Sequence, residues 1–367
     1  MTRLRSVLVE LAVGMAVAGA ICTLAFQHEF RWVAAGLRTA RPEVREPEYL
    51  ITALGWGHLG EVRDLRDAGH FAGMAPDTNG RMRAAVWREG RTTLIDLPDC
   101  AYSRATALAA DGSVLCNALT PRVAVSCRSY IWREEDEALL PVPSDEEGQI
   151  CRATAINGYG QVVGVIGRRP PSCHGFVWRP DSGVAALDQA PSAANDINDR
   201  GQVVGWRGDD LGQKRACVWL PEPDGSYRRM DLAPDCQGWT EACALNDDGL
   251  VVGQGSQVGA FAWNEEDGLQ VLPSPPQGLA RADDVNAHGH IVGVARGSGA
   301  RGAALWREGQ AVDLNSVAAP AGVWELTRAL AIGDDGLIAC QGVSSEGTET
   351  VLLTPVALAG DEERRAR

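Results

Sequence analysis

A motif of about 44 residues recurs along most of this 367-residue chain and restricts the fold more than any other feature. One copy reads Ala-Thr-Ala-Ile-Asn157-Gly-Tyr-Gly160-Gln-Val-Val-Gly164 and is followed by Gly-Phe-Val-Trp178. The next has Asn198-Asp-Arg-Gly201-Gln-Val-Val-Gly205 and Trp219; later copies carry Asn246, Gly249, Gly253 and Trp263, then Asn286, Gly289, Gly293 and Trp306. Weaker copies flank these, with glycines 69, 112 and 336 at the same place. The seven glycines lie 40 to 48 residues apart. Self-similarity at such a period marks a solenoid or propeller array.

Each unit parses into four short strands: Ala-x-Ala-Ile, Gln-Val-Val-Gly, the run ending in tryptophan, and a looser stretch such as Val184 to Leu187, Met230 to Leu232 or Ala311 to Leu314. The Asn-x-x-Gly between the first two suits a type I turn closed by a glycine at positive φ. Four strands in this length make a propeller blade. The last copy stops after its third strand, Thr350 to Pro355, and an unclaimed strand, Tyr49 to Leu54, precedes the first copy. A terminal strand that completes the last blade leaves no loose edge. The expected fold is all-β: a seven-bladed β-propeller with four-stranded blades, closed by an N-terminal strand. Tryptophans 87, 132, 178, 219, 263 and 306 are then blade-to-blade packing.

These motifs, together with the Leu352-Leu-Thr-Pro-Val356 ending, resemble the HAF-repeat family of extracellular bacterial repeat proteins. The resemblance spans residues 49–358 and is strongest over 151–310. The family's His-Ala-Phe triplet is degraded here to His174-Gly-Phe176, Gly259-Ala-Phe261 or Arg215-Ala-Cys217. It implies an exported repeat domain and lends no active site.

Residues 1–26 stand apart. Arg3 and Arg5 precede an apolar run, Ser6 to Phe26, interrupted by Glu10. Twenty-one helical residues span about 30 Å, one bilayer core, and the positive flank sends the rest outward. The expectation is a transmembrane signal anchor, residues 6–26, in a bacterial cell membrane. The alternative is a cleaved signal peptide, with sites at Ala16-Val-Ala18 or Ala18-Gly-Ala20. Residues 27–48 read as a linker or stalk and 359–367 as a charged tail.

A net charge of −14 disfavours a nucleic-acid partner, because affinity for phosphates depends on Lys and Arg. Nine cysteines lie in the expected exported part, where disulfides persist. Position within the repeat suggests Cys100–Cys127, Cys151–Cys173 and Cys236–Cys243. Cys116, Cys217 and Cys340 are expected as buried thiols. Trp56, Trp239 and Trp324 precede a first strand and Trp206 follows a second, so all four map to one rim of the disc. Aromatics there suit stacking on sugar or gripping a peptide; equally, each could cap its own blade.

No catalytic residues, metal ligands or cofactor motif emerge: the six histidines lack metal spacing, and the Asp-Asp-Gly turns at 247–249 and 334–336 lack the further carboxylates calcium needs. The reading is therefore an extracytoplasmic binding or scaffold module for a protein or glycan. The alternative is an exported polysaccharide hydrolase or lyase with channel-mouth carboxylates drawn from different blades.

Overall fold

The computed structural model describes residues 47–357, apart from short breaks in several loops. The expected membrane segment, the stalk and the charged tail lie outside the described residues. Within the described part, no helix is long and apolar enough to cross a membrane.

Seven antiparallel sheets follow one another along the chain. Blade 1 comprises Glu61–Asp67, His70–Pro76, Met82–Arg88 and Arg91–Ile95, and five further blades repeat that meander up to Gln310–Asp313. Blade 7 takes Glu325–Ile332, Ile338–Ser344 and Gly347–Pro355 from the C-terminal end and its fourth strand, Tyr49–Ala53, from the N-terminal side. Tyr49 pairs with Pro355 and Ala53 with Val351, the closure expected from the sequence.

Outside the repeat, Asp313 caps a single helical turn, Leu314–Val317, and the chain then adds a two-residue strand, Ala318–Ala319, parallel to Tyr49–Ala53. This fifth strand covers part of the edge that the closing strand would otherwise expose.

The apolar residues pack between sheets. Seven buried clusters each mix residues of two consecutive blades, and the seventh joins Val62, Leu65 and Phe71 of blade 1 to Ala331, Leu337 and Ala339 of blade 7. Both faces of the third strands are therefore apolar: Phe176, Val177 and Trp178 are all buried. Buried hydroxyls fix the spacing between sheets. Ser103, Ser192 and Thr240 lie at the start of the inner strands of blades 2, 4 and 5, and each accepts the N–H of Ala84, Gly175 or Ala216 in the preceding blade at 2.9 Å.

Every inner strand is bulged at an equivalent place, where the register skips a residue: Val62/Asp64, Ala105/Ala107, Ala153/Ala155, Ala194/Asp196, Ala242/Ala244, Ala282/Asp284 and Ala329/Ala331. The bulge swings the inner strand's carbonyl against the second strand. A Cβ on Gly205 would lie 2.0 Å from the Ala193 oxygen, and one on Gly164 2.2 Å from that of Arg152. No side chain fits at these two glycines as the blades stand, whereas blades 2 and 7 accommodate one at the same place. Cys116 and Cys340 hold the equivalent position in blades 2 and 7, fully buried as expected, and Cys217 is buried too.

None of the nine described cysteines is joined in a disulfide. The predicted pairs are not formed, for a topological reason. Cys127 lies in a third strand and Cys100 just ahead of the first; likewise Cys173 and Cys151 belong to third and first strands. The second strand runs between them, with Tyr102 facing Leu119 and Leu119 facing Cys127. Two strand spacings come to about 9.5 Å, beyond the Cα separation a disulfide spans. Cys243 sits within the bulge of an inner strand, while Cys236 is out in the preceding loop, its Sγ 3.3 Å from the Gln237 carbonyl.

Candidate functional site: the central channel

Aligning the seven bulges stacks the inner-strand residues in tiers around the axis. The residue before the bulge gives Glu61, Arg104, Arg152, Ala193, Glu241, Arg281 and Arg328. The looped-out residue gives Arg63, Thr106, Thr154, Asn195, Cys243, Asp283 and Leu330. The residue after it gives Asp64, Asp196 and Asp284 in blades 1, 4 and 6 and alanine elsewhere. The channel is basic at one end and acidic at the other.

The acidic end opens into a cavity of about 560 Å³ bordered by the inner turns. Asp64, Asp196 and Asp284 lie at its floor. Each clamps two backbone N–H groups: one oxygen accepts from the following residue (Leu65, Ile197 or Val285) at 2.7–2.8 Å. The other accepts across the blade boundary from Leu108, Leu245 or Ile332 at 2.7–3.0 Å. Burial pushes all three carboxyls up, Asp196 to about 7 and Asp284 to about 8, against the pull of those N–H groups; repulsion among the aspartates adds to the rise at Asp196 and Asp284. Each keeps some water-accessible surface inside the channel.

Above the floor, the turn asparagines form a directional chain. Nδ2 of Asn157 donates to the Asn198 carbonyl, Asn198 to Asn246, Asn246 to Asn286 and Asn286 to Gly333, all at 3.0–3.1 Å. Each Oδ1 closes its own turn by accepting two backbone N–H groups, those two and four residues on. A parallel chain uses carboxylates: Asp199 accepts from Gly158 N, Asp247 from Asp199 N and Asp334 from Ala287 N, at 2.6–2.8 Å. The cavity wall thus holds Asp199, Asp247, Asp334 and Asp335 beyond the floor aspartates, with Arg66 as the single cationic side chain among the described residues that line it. A second cavity of about 440 Å³, lined by Arg66, His70, Arg88 and Asp111, adjoins it where blades 1 and 2 lack the asparagine. Among the described residues, no group of three His, Cys, Asp or Glu is placed to hold a metal ion.

The rim tryptophans are not gathered into one surface. Trp56 is buried on Phe71, with ring centroids 5.5 Å apart, and donates Nε1 to Thr92 Oγ1 at 3.3 Å. Trp324 packs on the core of blade 7, against Gly342. Trp206 belongs to a strand that runs on to Gly208, and Lys214 Nζ sits 4.7 Å over its ring. Trp239 is the most open of the four, 38% exposed. A more exposed aromatic, Tyr159 at 73%, stands in the turn after Asn157, beside the acidic mouth. Sequence reading passed over Tyr159 and the floor aspartates alike; comparing one repeat column across all seven units would have exposed the aspartates.

No family model matches the chain, and no curated protein matches it. Solved structures do. TolB from Acinetobacter baumannii is 11% identical with a TM-score of 0.46, covering 78% of this chain, which spans only 63% of TolB. Ycf48 bound to a D1 peptide is 13% identical with a TM-score of 0.52, covering 85% of this chain and 96% of that one. The β-propeller domain of the Trilobed protease from Pyrococcus furiosus, with an open velcro topology, is 11% identical with a TM-score of 0.54, covering 80% of this chain and 95% of that one. At these identities the likeness is one of fold: this chain is a seven-bladed, four-stranded β-propeller.

Proposed function

We propose that the protein is a binding module whose acidic channel mouth receives a cationic group of a protein partner, such as a lysine- or arginine-bearing segment. The observation that carries this is the cavity wall: seven aspartates against one arginine around about 560 Å³. Fixed carboxylates in a concave, low-dielectric setting focus field on an incoming cation, and Tyr159 at the rim adds an aromatic face for it. A propeller of similar fold, Ycf48, is seen with a bound peptide. A glycan ligand rests on the thinner support of Trp239 and Trp206 near blades 4 and 5. Residues 6–26 would hold the module on the outer side of a membrane, as the apolar run behind Arg3 and Arg5 suggests.

The test is binding of a labelled tetralysine peptide to the full-length chain at low ionic strength and about pH 8.5, where the floor aspartates are ionised, beside a tetraglutamate control. The lysine peptide alone should bind, and replacing Asp64, Asp196 and Asp284 together with Asn should weaken it at least tenfold in protein that still unfolds cooperatively. Equal binding of both peptides, or no effect of the replacements, rejects the reading.

A second reading, a carboxylate-based hydrolase or lyase, is favoured by one observation: three channel aspartates whose proton affinity is raised, two of them to near neutrality, as a general acid requires. Against it, both oxygens of each are already engaged by backbone N–H groups. Release of reducing ends from envelope polysaccharide by wild type and not by Asp284→Asn would support it.

A further inference from the structure

The opposite end of the channel carries the other sign of charge. Four of the seven residues in the tier before the bulge are Arg104, Arg152, Arg281 and Arg328, and Arg63 joins them from the next tier. Pairing accounts for only some of them. Asp283, nearly sealed from solvent, takes both Arg281 and Arg328, the latter through two bonds of 2.7 and 3.0 Å. Glu61 holds Arg63 at 2.8 Å. Glu241 is occupied by Lys214 at 3.1 Å and Asn195 at 3.2 Å.

Arg104 is left over. Its Nε is buried with no acceptor, and no carboxylate lies within ion-pair distance of it among the described residues. Arg104 does not stand alone. Burial, helped by repulsion from Arg104 and Arg328 and opposed by Glu61, depresses the pKa of the Arg63 guanidinium, so blades 7, 1 and 2 bring three positive groups together. A buried donor without a partner costs free energy, more when charged. Such a group in a native fold calls for a missing partner. Guanidinium forks present paired N–H groups that match the oxygens of phosphate and carboxylate.

We propose that this end of the channel, at Arg63, Arg104 and Arg328, binds an oxyanion: a phosphate or carboxylate group. The proposal is independent of the cation reading, which concerns other residues at the far mouth.

The experiment titrates the full-length chain with inorganic phosphate and, separately, with citrate. Sodium chloride at matched ionic strength is the control, and heat of binding and unfolding temperature are read. At least one oxyanion should bind and raise the unfolding temperature where chloride does not. Phosphate active and citrate silent identifies a phosphoryl ligand; the reverse identifies a carboxylate. Arg104→Met should lose tenfold or more in affinity while unfolding at a higher temperature without anion, because its buried, unpartnered Nε–H is gone. That second change separates loss of the site from loss of the fold, and Arg91→Met, on an outer strand, should leave both readouts unchanged. If neither oxyanion outperforms chloride, or if Arg104→Met keeps the full response, the proposal is wrong.

Discussion

Asp284 shows how a single carboxyl couples the site to stability. An unfolded aspartate titrates near 3.8, whereas the folded protein holds this proton to about 8. Between those values the folded state binds more protons than the unfolded one, so this group's contribution is complete below about pH 4 and is lost as pH rises through about 8. Asp196 acts the same way up to about 7. Asp284→Asn should therefore become steadily more stable relative to wild type between about pH 5 and 8.5, as compared by urea midpoints. A constant difference would show that the carboxyl titrates normally. Ionisation over the same range should raise affinity for tetralysine from about pH 6 to 8.5. None of this was legible from the chain read linearly, since Asp64, Asp196 and Asp284 occupy one column of the repeat that holds alanine in the other four blades. The tryptophans misled in the opposite way: Trp56 is conspicuous in sequence but serves the core.

The bulged inner strand is the element on which the site depends. Gly205→Ala places a methyl against the Ala193 carbonyl, and either the bulge straightens or the blade parts; a loss of about 3 kcal/mol is expected in chemical denaturation. Asn246→Ala removes one donated and two accepted hydrogen bonds at a buried position, which should cost about 3 kcal/mol. An effect below about 1 kcal/mol would mean that water replaces the chain of asparagines. Strands were readable to within a residue or three because Val-Val and Phe-Val-Trp are apolar on both faces. The Asn-x-x-Gly turn was readable because its glycines do adopt positive φ, 72° at Gly160 and 73° at Gly201. The disulfide expectation went astray at this scale: the starts of the first and third strands open onto one face of the blade, but the second strand still separates them.

For the whole molecule, closure by Tyr49–Ala53 was foreseeable from a strand left over at each end. What covers its outer edge was not, because Leu314–Val317 and Ala318–Ala319 have no counterpart in the other blades. Deleting residues 1–53 should leave the outer edge of Gly347–Pro355 unpaired, and sedimentation should then report self-association. A monodisperse truncated monomer would show that the ring does not need its clasp.

The asparagine chain runs one way, each blade reaching forward to the next from blade 3 to blade 7. Its interfaces are therefore head-to-tail, and a head-to-tail contact carries no count of its own; only geometric closure sets the number. The asparagine bond at the boundary between blades 4 and 5 is the same as those at the boundaries on either side. The architecture is open to growth by tandem duplication in its middle, whereas blades 1, 2 and 7, with their unmatched turns and borrowed strand, behave as a fixed frame around an expandable series.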